Sequence, residues 1–542
     1  MNADADECTL KIKNLSVALP SGSDRQFAIQ NLNVSLRKGY TLCVVGESGS
    51  GKSVTATAIM GLLPKELHVA SGEILLRGES IVTASAMRLK QLRAKVMSMV
   101  FQEPMTALNP VMSCGDQLDE LLRKHTSWPK AKRRQSVLAM MEQVRLPNPS
   151  RIMRSYPHQL SGGQRQRIVI AMAMILRPDL LICDEPTTAL DVTTQKEILR
   201  LIAELKEKHN VAVLFITHDM GVVAEIADHI LVMRQGESVE YGTRDDVLKT
   251  PRHEYTKQLL AAVPSMKPPA RRSIDRRQPA LRGVAVCKSY ETRTWIGAGS
   301  TVHALKNADL QVHPCETVGI VGESGSGKST FARCLVRLID PSGGRVIWMN
   351  NSREVDVSSK SQRQIRAYRD GVQIVFQDPN RSLNPRLKIG DALIEGALNF
   401  GLCRAEATRL AEELIRKVRL PVESLSRYPS QFSGGQRQRL AIARALACKP
   451  KVLVADEAVS ALDVSVQAQI MKLLREIQDD FGLGILFITH DLRVAAQLCD
   501  RVIVMHRGEI VEHGYTDEVY ANPQHEYTRT LLDAAPTIDQ VY

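Results

Sequence analysis

The sequence predicts an α/β protein made of two copies of one domain. Each copy is a mainly parallel sheet core with helices and a helical subdomain. Three observations lead there. First, long motifs recur: GESGSGKS at residues 46–53 and 322–329, SGGQRQR at 161–167 and 433–439, FITHD at 215–219 and 487–491, HEYT at 253–256 and 525–528. The offset is 276 residues for the first motif (46 to 322) and 272 for the others (161 to 433). Solenoid units repeat every roughly 20–50 residues, so this is a duplicated domain. Second, short runs rich in Val, Ile and Leu (TLCVVG, LLICDE and VAVLFITHD, then TVGIVG, VLVADE and LGILFITHD) have the length and branching of parallel strands buried on both faces. Third, these runs alternate with helical stretches, the pattern of an α/β fold.

Composition narrows the class. The 542 residues are 44% hydrophobic and 24% charged, ordinary for a globular protein of two to four domains. No apolar run approaches the roughly 18 residues of a membrane span. The N-terminal MNADADECTLKIKN is acidic and lacks an apolar core, so no signal peptide is expected and the chain is expected in the cytosol unless a partner tethers it. The ten cysteines are scattered singly with no CxxC pair, which indicates neither a zinc site nor a redox motif; most are expected to be small buried residues. The formal net charge of +12 suits anionic lipid or nucleic acid, and equally a solvated basic surface.

In chain order, residues 1–265 form the first copy. Residues 266–282, MKPPARRSIDRRQPALR, hold three prolines and six Lys or Arg without apolar periodicity, and read as an exposed, semi-stiff linker. Residues 283–542 form the second copy. In each copy a strand enters the pattern GxxxxGK[ST], a phosphate-binding loop: Gly46, Glu47, Ser48, Gly49, Ser50, Gly51, Lys52 and Ser53, and again Gly322, Glu323, Ser324, Gly325, Ser326, Gly327, Lys328 and Ser329. The glycines let backbone N–H groups close around phosphate oxygens. The lysine reaches the β and γ phosphates, and the last serine holds Mg²⁺. Helices at 54–60 and 330–337 add the partial positive charge of their N-termini. The segments 105–159 and 380–431 read as mostly helical subdomains. LLICDE ends in Asp184 and Glu185, VLVADE in Asp456 and Glu457. The first acid of such a pair holds Mg²⁺ through water, and the second orients and polarises the attacking water.

LSGGQ at 160–164 and FSGGQ at 432–436 resemble the signature of ABC ATPases, and the resemblance covers both halves almost end to end. It implies that Gln102 (in VFQEP) and Gln377 (in VFQDP) are Q-loop glutamines that face the Mg²⁺. TALD at 188–191 and SALD at 460–463 are D-loops, and His218 and His490 are switch histidines. ABC domains pair head to tail. One ATP site would therefore use Lys52, Ser53, Gln102, Asp184, Glu185 and His218, capped by Ser433, Gly435 and Gln436. The other would use Lys328, Ser329, Gln377, Asp456, Glu457 and His490, capped by Ser161, Gly163 and Gln164. ATP would bridge the halves and hydrolysis release them.

Three details are similar to the oligopeptide, dipeptide and nickel importer subfamily: the loop wording GESGSGKS, the Q-loop continuations MTALNP and NRSLNP, and the tails PRHEYTKQLLAAVP and PQHEYTRTLLDAAP. A fused pair with a short linker most resembles the ATPase of the microcin C and peptide importers. That resemblance implies an ATPase on the cytoplasmic face of the inner membrane, working with two permease subunits and a periplasmic substrate-binding protein rather than with nucleic acid. The alternative is a soluble tandem ABC protein acting on ribosomes or nucleic acid. It would bring a longer charged linker or paired cysteines, and neither is present. The cysteine cluster that some relatives carry after the tail is missing too, so no iron–sulfur centre is expected. Two departures stand out. DEP becomes DEA at Ala458, followed by Val459. Where the family stacks adenine on an aromatic ring, the second half offers Tyr290 but the first only Leu19.

Overall fold

The computed structural model describes residues 8–188, 190–292, 300–350, 353–459 and 462–536. The chain forms two compact units and passes from the first to the second between Val263 and Pro264.

In the first unit a six-stranded sheet runs in the order Glu237–Thr243, His229–Arg234, Thr41–Val45, Ala212–Ile216, Leu180–Asp184, Met97–Val100. All neighbours are parallel except the first two. The three central strands are buried at every residue, which is why they read as unbroken apolar runs. Alternate residues serve opposite faces. Leu42, Val44, Leu180 and Ile182 enter one core, and Cys43, Val45, Leu181 and Cys183 the other. The second unit repeats the sheet as Glu509–Tyr515, Arg501–His506, Thr317–Val321, Gly484–Ile488, Val452–Asp456, Val372–Val375. Register brings the site together: Val44 and Asp184 both lie beside Ile216, and Ile320 and Asp456 both beside Ile488. The carboxyl ends of three strands therefore share one edge, where open α/β sheets bind ligands.

The helical subdomains lie where the pattern placed them: Cys114–His125 and Lys130–Gln143 in the first unit, Ile389–Asn399 and Arg404–Lys417 in the second. A further sheet in each unit is not apparent from the sequence pattern. It is four-stranded and antiparallel, built in the first unit from Cys8–Ala18, Phe27–Arg37, His68–Leu76 and Glu79–Ser80. Its long strands pair with repeated register shifts, which break the two-residue alternation that would reveal them.

Residues 264–280 are irregular, as their prolines dictate, before Leu281 opens a strand, and they are not a free-standing linker. Arg271 pairs with Asp517 and Glu518, and Arg272 with Asp500. Arg276 reaches the fully buried Glu316, which also takes Arg501 and His313. Arg282 likewise meets Glu354, whereas Arg277 pairs with Asp275 inside the segment. Among the cysteines five are buried, three half-buried, and Cys315 and Cys403 exposed, so burial is less general than their residue type suggests. Ala458 and Val459 are buried in the core of the second unit, which accounts for apolar residues after that acidic pair. No described helix is long and apolar enough to cross a membrane.

Candidate functional site

Each phosphate loop leaves its strand through a glycine that no other residue could replace. Gly46 and Gly322 have φ of 149° and 146°, and a Cβ there would stand 2.1 Å from the Met233 carbonyl and 2.2 Å from that of Met505. The loops end in helices Lys52–Ile59 and Lys328–Leu335. Lys52 is 6% exposed, and its ammonium donates to the carbonyls of Gly46 at 2.7 Å and Glu47 at 2.9 Å. Lys328 does the same to Gly322 and Glu323, both at 2.7 Å. Ser50 and Ser326 are buried, and their hydroxyls find no protein partner. A buried ammonium donating to backbone carbonyls, beside an unsatisfied hydroxyl and a helix N-terminus, suits a phosphate chain.

The acidic pairs stand against these loops. Ser53 donates to Asp184 at 3.1 Å, and Ser329 to Asp456 at 2.9 Å. Burial raises both aspartate carboxyls above their usual range, against the pull of these hydroxyls. The glutamates take positive φ, 46° at Glu185 and 50° at Glu457, a strained turn that lifts each side chain off the sheet edge. Gln102 donates to Glu185 at 3.0 Å, Thr188 at 3.0 Å, and His218 lies 3.2 Å away. Gln377 donates to Glu457 at 2.6 Å, with His490 at 3.5 Å. Burial alone would raise the Glu185 carboxyl, but His218, Thr188 and Lys52 bring it down to about 2. Glu457 is lowered likewise: burial is outweighed by His490, Lys328 and Gln377. Burial pushes His490 down, and Glu457 raises it above the ordinary imidazole value. Both glutamates therefore stay ionised at neutral pH. A hydroxyl and a carboxylate set beside the phosphate loop are the hard oxygen donors that Mg²⁺ accepts, so the donor set fits that ion.

Within each unit, then, the structure gathers the phosphate-loop lysine and serine, both acids, the glutamine and the histidine. The signatures open helices Gly162–Met174 and Gly434–Leu446 as reciprocal caps: Ser161 with Gln164, and Ser433 with Gln436. A Cβ at Gly163 would meet Thr194 at 2.6 Å, and one at Gly435 would meet Val466 at 2.4 Å, so these glycines seat the signature on the next helix. The strand that ends just before Leu19 and the strand that holds Tyr290 share a positive φ five residues earlier, 48° at Asn14 and at Ala285, so the two residues occupy equivalent places. Leu19 packs on the core; Tyr290 is exposed, with the Lys288 ammonium 5.3 Å from its ring. Of the D-loops, Ala189, Ser460 and Ala461 lie outside the described residues.

The motifs gave no role to the tyrosines of the HEYT tails. The Tyr255 oxygen accepts the N–H of Glu47 at 3.2 Å, and that of Tyr527 accepts the N–H of Glu323 at 3.0 Å. The exact recurrence of HEYT was the available signal.

These features define an ATP-hydrolysing cassette, and the profile of the ABC transporter family matches residues 29–188 and 305–460. The chain belongs to that family. A second profile, the C-terminal region of oligopeptide/dipeptide transporters, matches 239–296 and 511–542, the stretches that contain the HEYT tails. Among curated proteins, the glutathione import ATP-binding protein GsiA of Escherichia coli (strain K12) is 45% identical over 98% of this chain and 90% of its own length. Its counterpart in Shigella flexneri gives the same figures. Of solved structures, a dimeric bacterial ABC transporter cassette matches 43% of this chain and 98% of its own at 27% identity and a TM-score of 0.40. The chain is an ABC-type ATPase related to the ATPases that energise import of peptide-like compounds.

Proposed function

We propose that the chain energises an importer of peptides or peptide-like compounds from the cytoplasmic face of the inner membrane, with two permease subunits and a periplasmic binding protein. The reading rests chiefly on one observation: each unit sets an ionised glutamate, steered by a glutamine and a histidine, against a phosphate-loop lysine and a serine–aspartate pair. The import side comes from the transporter C-terminal region and from relatives named for glutathione, itself a tripeptide.

In this reading Lys52 and Lys328 keep the carbonyls of Gly46 and Gly322 and turn their remaining N–H donors to phosphate oxygens. Ser53 and Ser329 would hold Mg²⁺ directly and Asp184 and Asp456 through water, with Gln102 and Gln377 facing it. When bound, the ion neutralises charge that builds on the phosphates during transfer. Glu185 and Glu457 orient water and take up its proton. His218 and His490 keep those carboxylates aimed. The signatures at Ser161, Gly163 and Gln164 and at Ser433, Gly435 and Gln436 complete the sites, each for the nucleotide of the other half.

The Q-loops supply the permease contact. In the second unit a groove of about 450 Å³ runs between Phe376 and the helical subdomain, lined by Leu338, Phe400, Ala441 and Arg444 among others. In the first, Phe101, Met105 and Val111 are exposed. A groove that mixes apolar side chains with Arg369, Glu395 and Arg444 suits an amphipathic helix from a partner. Cysteines placed at 102–110 and 377–385 are expected to crosslink to a permease in membranes. Co-purification with ribosomes and no permease crosslink would favour the ribosomal alternative.

A further inference from the structure

The peptide group between the first two residues of each phosphate loop is held from both sides. Its carbonyl, that of Gly46 or Gly322, takes the loop lysine at 2.7 Å. Its N–H, that of Glu47 or Glu323, donates to the tail tyrosine. The orientation of one peptide plane thus links Tyr255 to Lys52 and Tyr527 to Lys328.

The tyrosines are themselves fixed. Each stands in the first turn of its tail helix, Glu254–Ala261 or Glu526–Ala534, whose N-terminus the preceding histidine caps. The Glu240 carboxylate accepts the N–H groups of Arg252 at 2.7 Å and His253 at 3.2 Å. Glu512 does so for Gln524 at 2.8 Å and His525 at 3.0 Å. The Tyr255 ring lies under the Arg234 guanidinium at 4.9 Å, and the Tyr527 ring stacks on His506 at 4.1 Å. Arg234 and His506 each end the strand beside the one that delivers the loop. The arrangement recurs in both units although Arg replaces His, so the oxygen-to-amide contact is the shared element.

We propose that Tyr255 and Tyr527 are positioning residues for the phosphate-loop lysines, and that the C-terminal tail of each half thereby sets nucleotide affinity. The proposal rests on the reading that these loops hold ATP. The tyrosine oxygen fixes the peptide plane, and the lysine and the amides that follow keep the geometry that phosphate needs. Without that oxygen the plane loses the hold on its N–H side, and binding must restore its orientation.

The test uses the full chain with Tyr255→Phe, Tyr527→Phe and the double variant. These keep each ring and remove only its oxygen. Tyr515→Phe is the control, because it deletes a tyrosine hydroxyl that accepts from Arg276 at 2.6 Å in the segment joining the units. The readouts are KM for MgATP, kcat, and the thermal midpoint without nucleotide. The double variant is expected to raise KM about two- to tenfold, the worth of one hydrogen bond, with kcat unchanged and a midpoint no lower than the control's. An unchanged KM, or a rise matched by Tyr515→Phe, overturns the proposal. So does a kcat that falls in step with the thermal midpoint while KM stays put, which would make the role structural. Normal wild-type turnover with no KM change in the variants overturns the clamp and leaves the ATPase reading standing.

Discussion

At the scale of single residues, Glu185 and Glu457 are the groups we propose to carry the chemistry. Their positive φ, and the glutamine and histidine converging on each, are strained features that a fold keeps where function demands them. Replacing both with glutamine is expected to leave ATP binding intact and to lower turnover roughly 10²-fold or more, read as phosphate release beside nucleotide binding. A second expectation concerns the adenine. Leu19 and Tyr290 lie five residues after equivalent positive-φ positions, and only the tyrosine offers a ring. Base–aromatic stacking is worth about 1–3 kcal/mol, so the second site should bind about tenfold more tightly. Titrating nucleotide into Lys52→Ala, which leaves the second site, and Lys328→Ala, which leaves the first, compares them. Equal affinities would show that Phe27 or another group replaces the ring. The residues proposed as catalytic were legible because each follows a strand at a motif spacing. Tyr255 and Tyr527 were visible only as a repeated word, since a contact from a tail to a loop some 200 residues earlier leaves no local pattern.

At the scale of elements, the parallel strands announced themselves through burial on both faces, and the helical subdomains through their periodicity. The antiparallel sheets did not, because register shifts scramble alternation in strands such as Cys8–Ala18. The segment 266–282 misleads for another reason: prolines and arginines read as exposed until their partners are known. Arg276 and Arg501 converge on Glu316, which is fully buried. Burial would raise that carboxyl, but His313, Arg501 and Arg276 hold it at about 2. A carboxyl lowered on folding stabilises above its unfolded value near 4.5 and loses that contribution as pH falls toward 2. The contribution is on the order of 3 kcal/mol. Glu316→Gln should therefore lower the thermal midpoint of the second unit at pH 7 and flatten its decline between about pH 5 and pH 3. An acid limb as steep as the wild type's would show that other carboxylates govern it.

At the scale of the whole molecule, duplication explains why one chain carries two phosphate loops and two signatures. If each signature serves the other half's nucleotide, Ser433→Arg should damage the site built on Lys52 and spare nucleotide binding at Lys328. The first half produced alone, and shown to be monomeric, should hydrolyse ATP poorly; full activity from it would refute shared sites. In the proposed mechanism this chain hydrolyses ATP at its two phosphate loops through Glu185 and Glu457. The most direct measurement is Mg²⁺-dependent phosphate release by the purified full chain, beside the Glu185→Gln/Glu457→Gln double variant at saturating ATP. The account predicts steady turnover by the wild type, and an ATP-loaded variant slower by roughly 10²-fold or more. Equal turnover by the two proteins would contradict it.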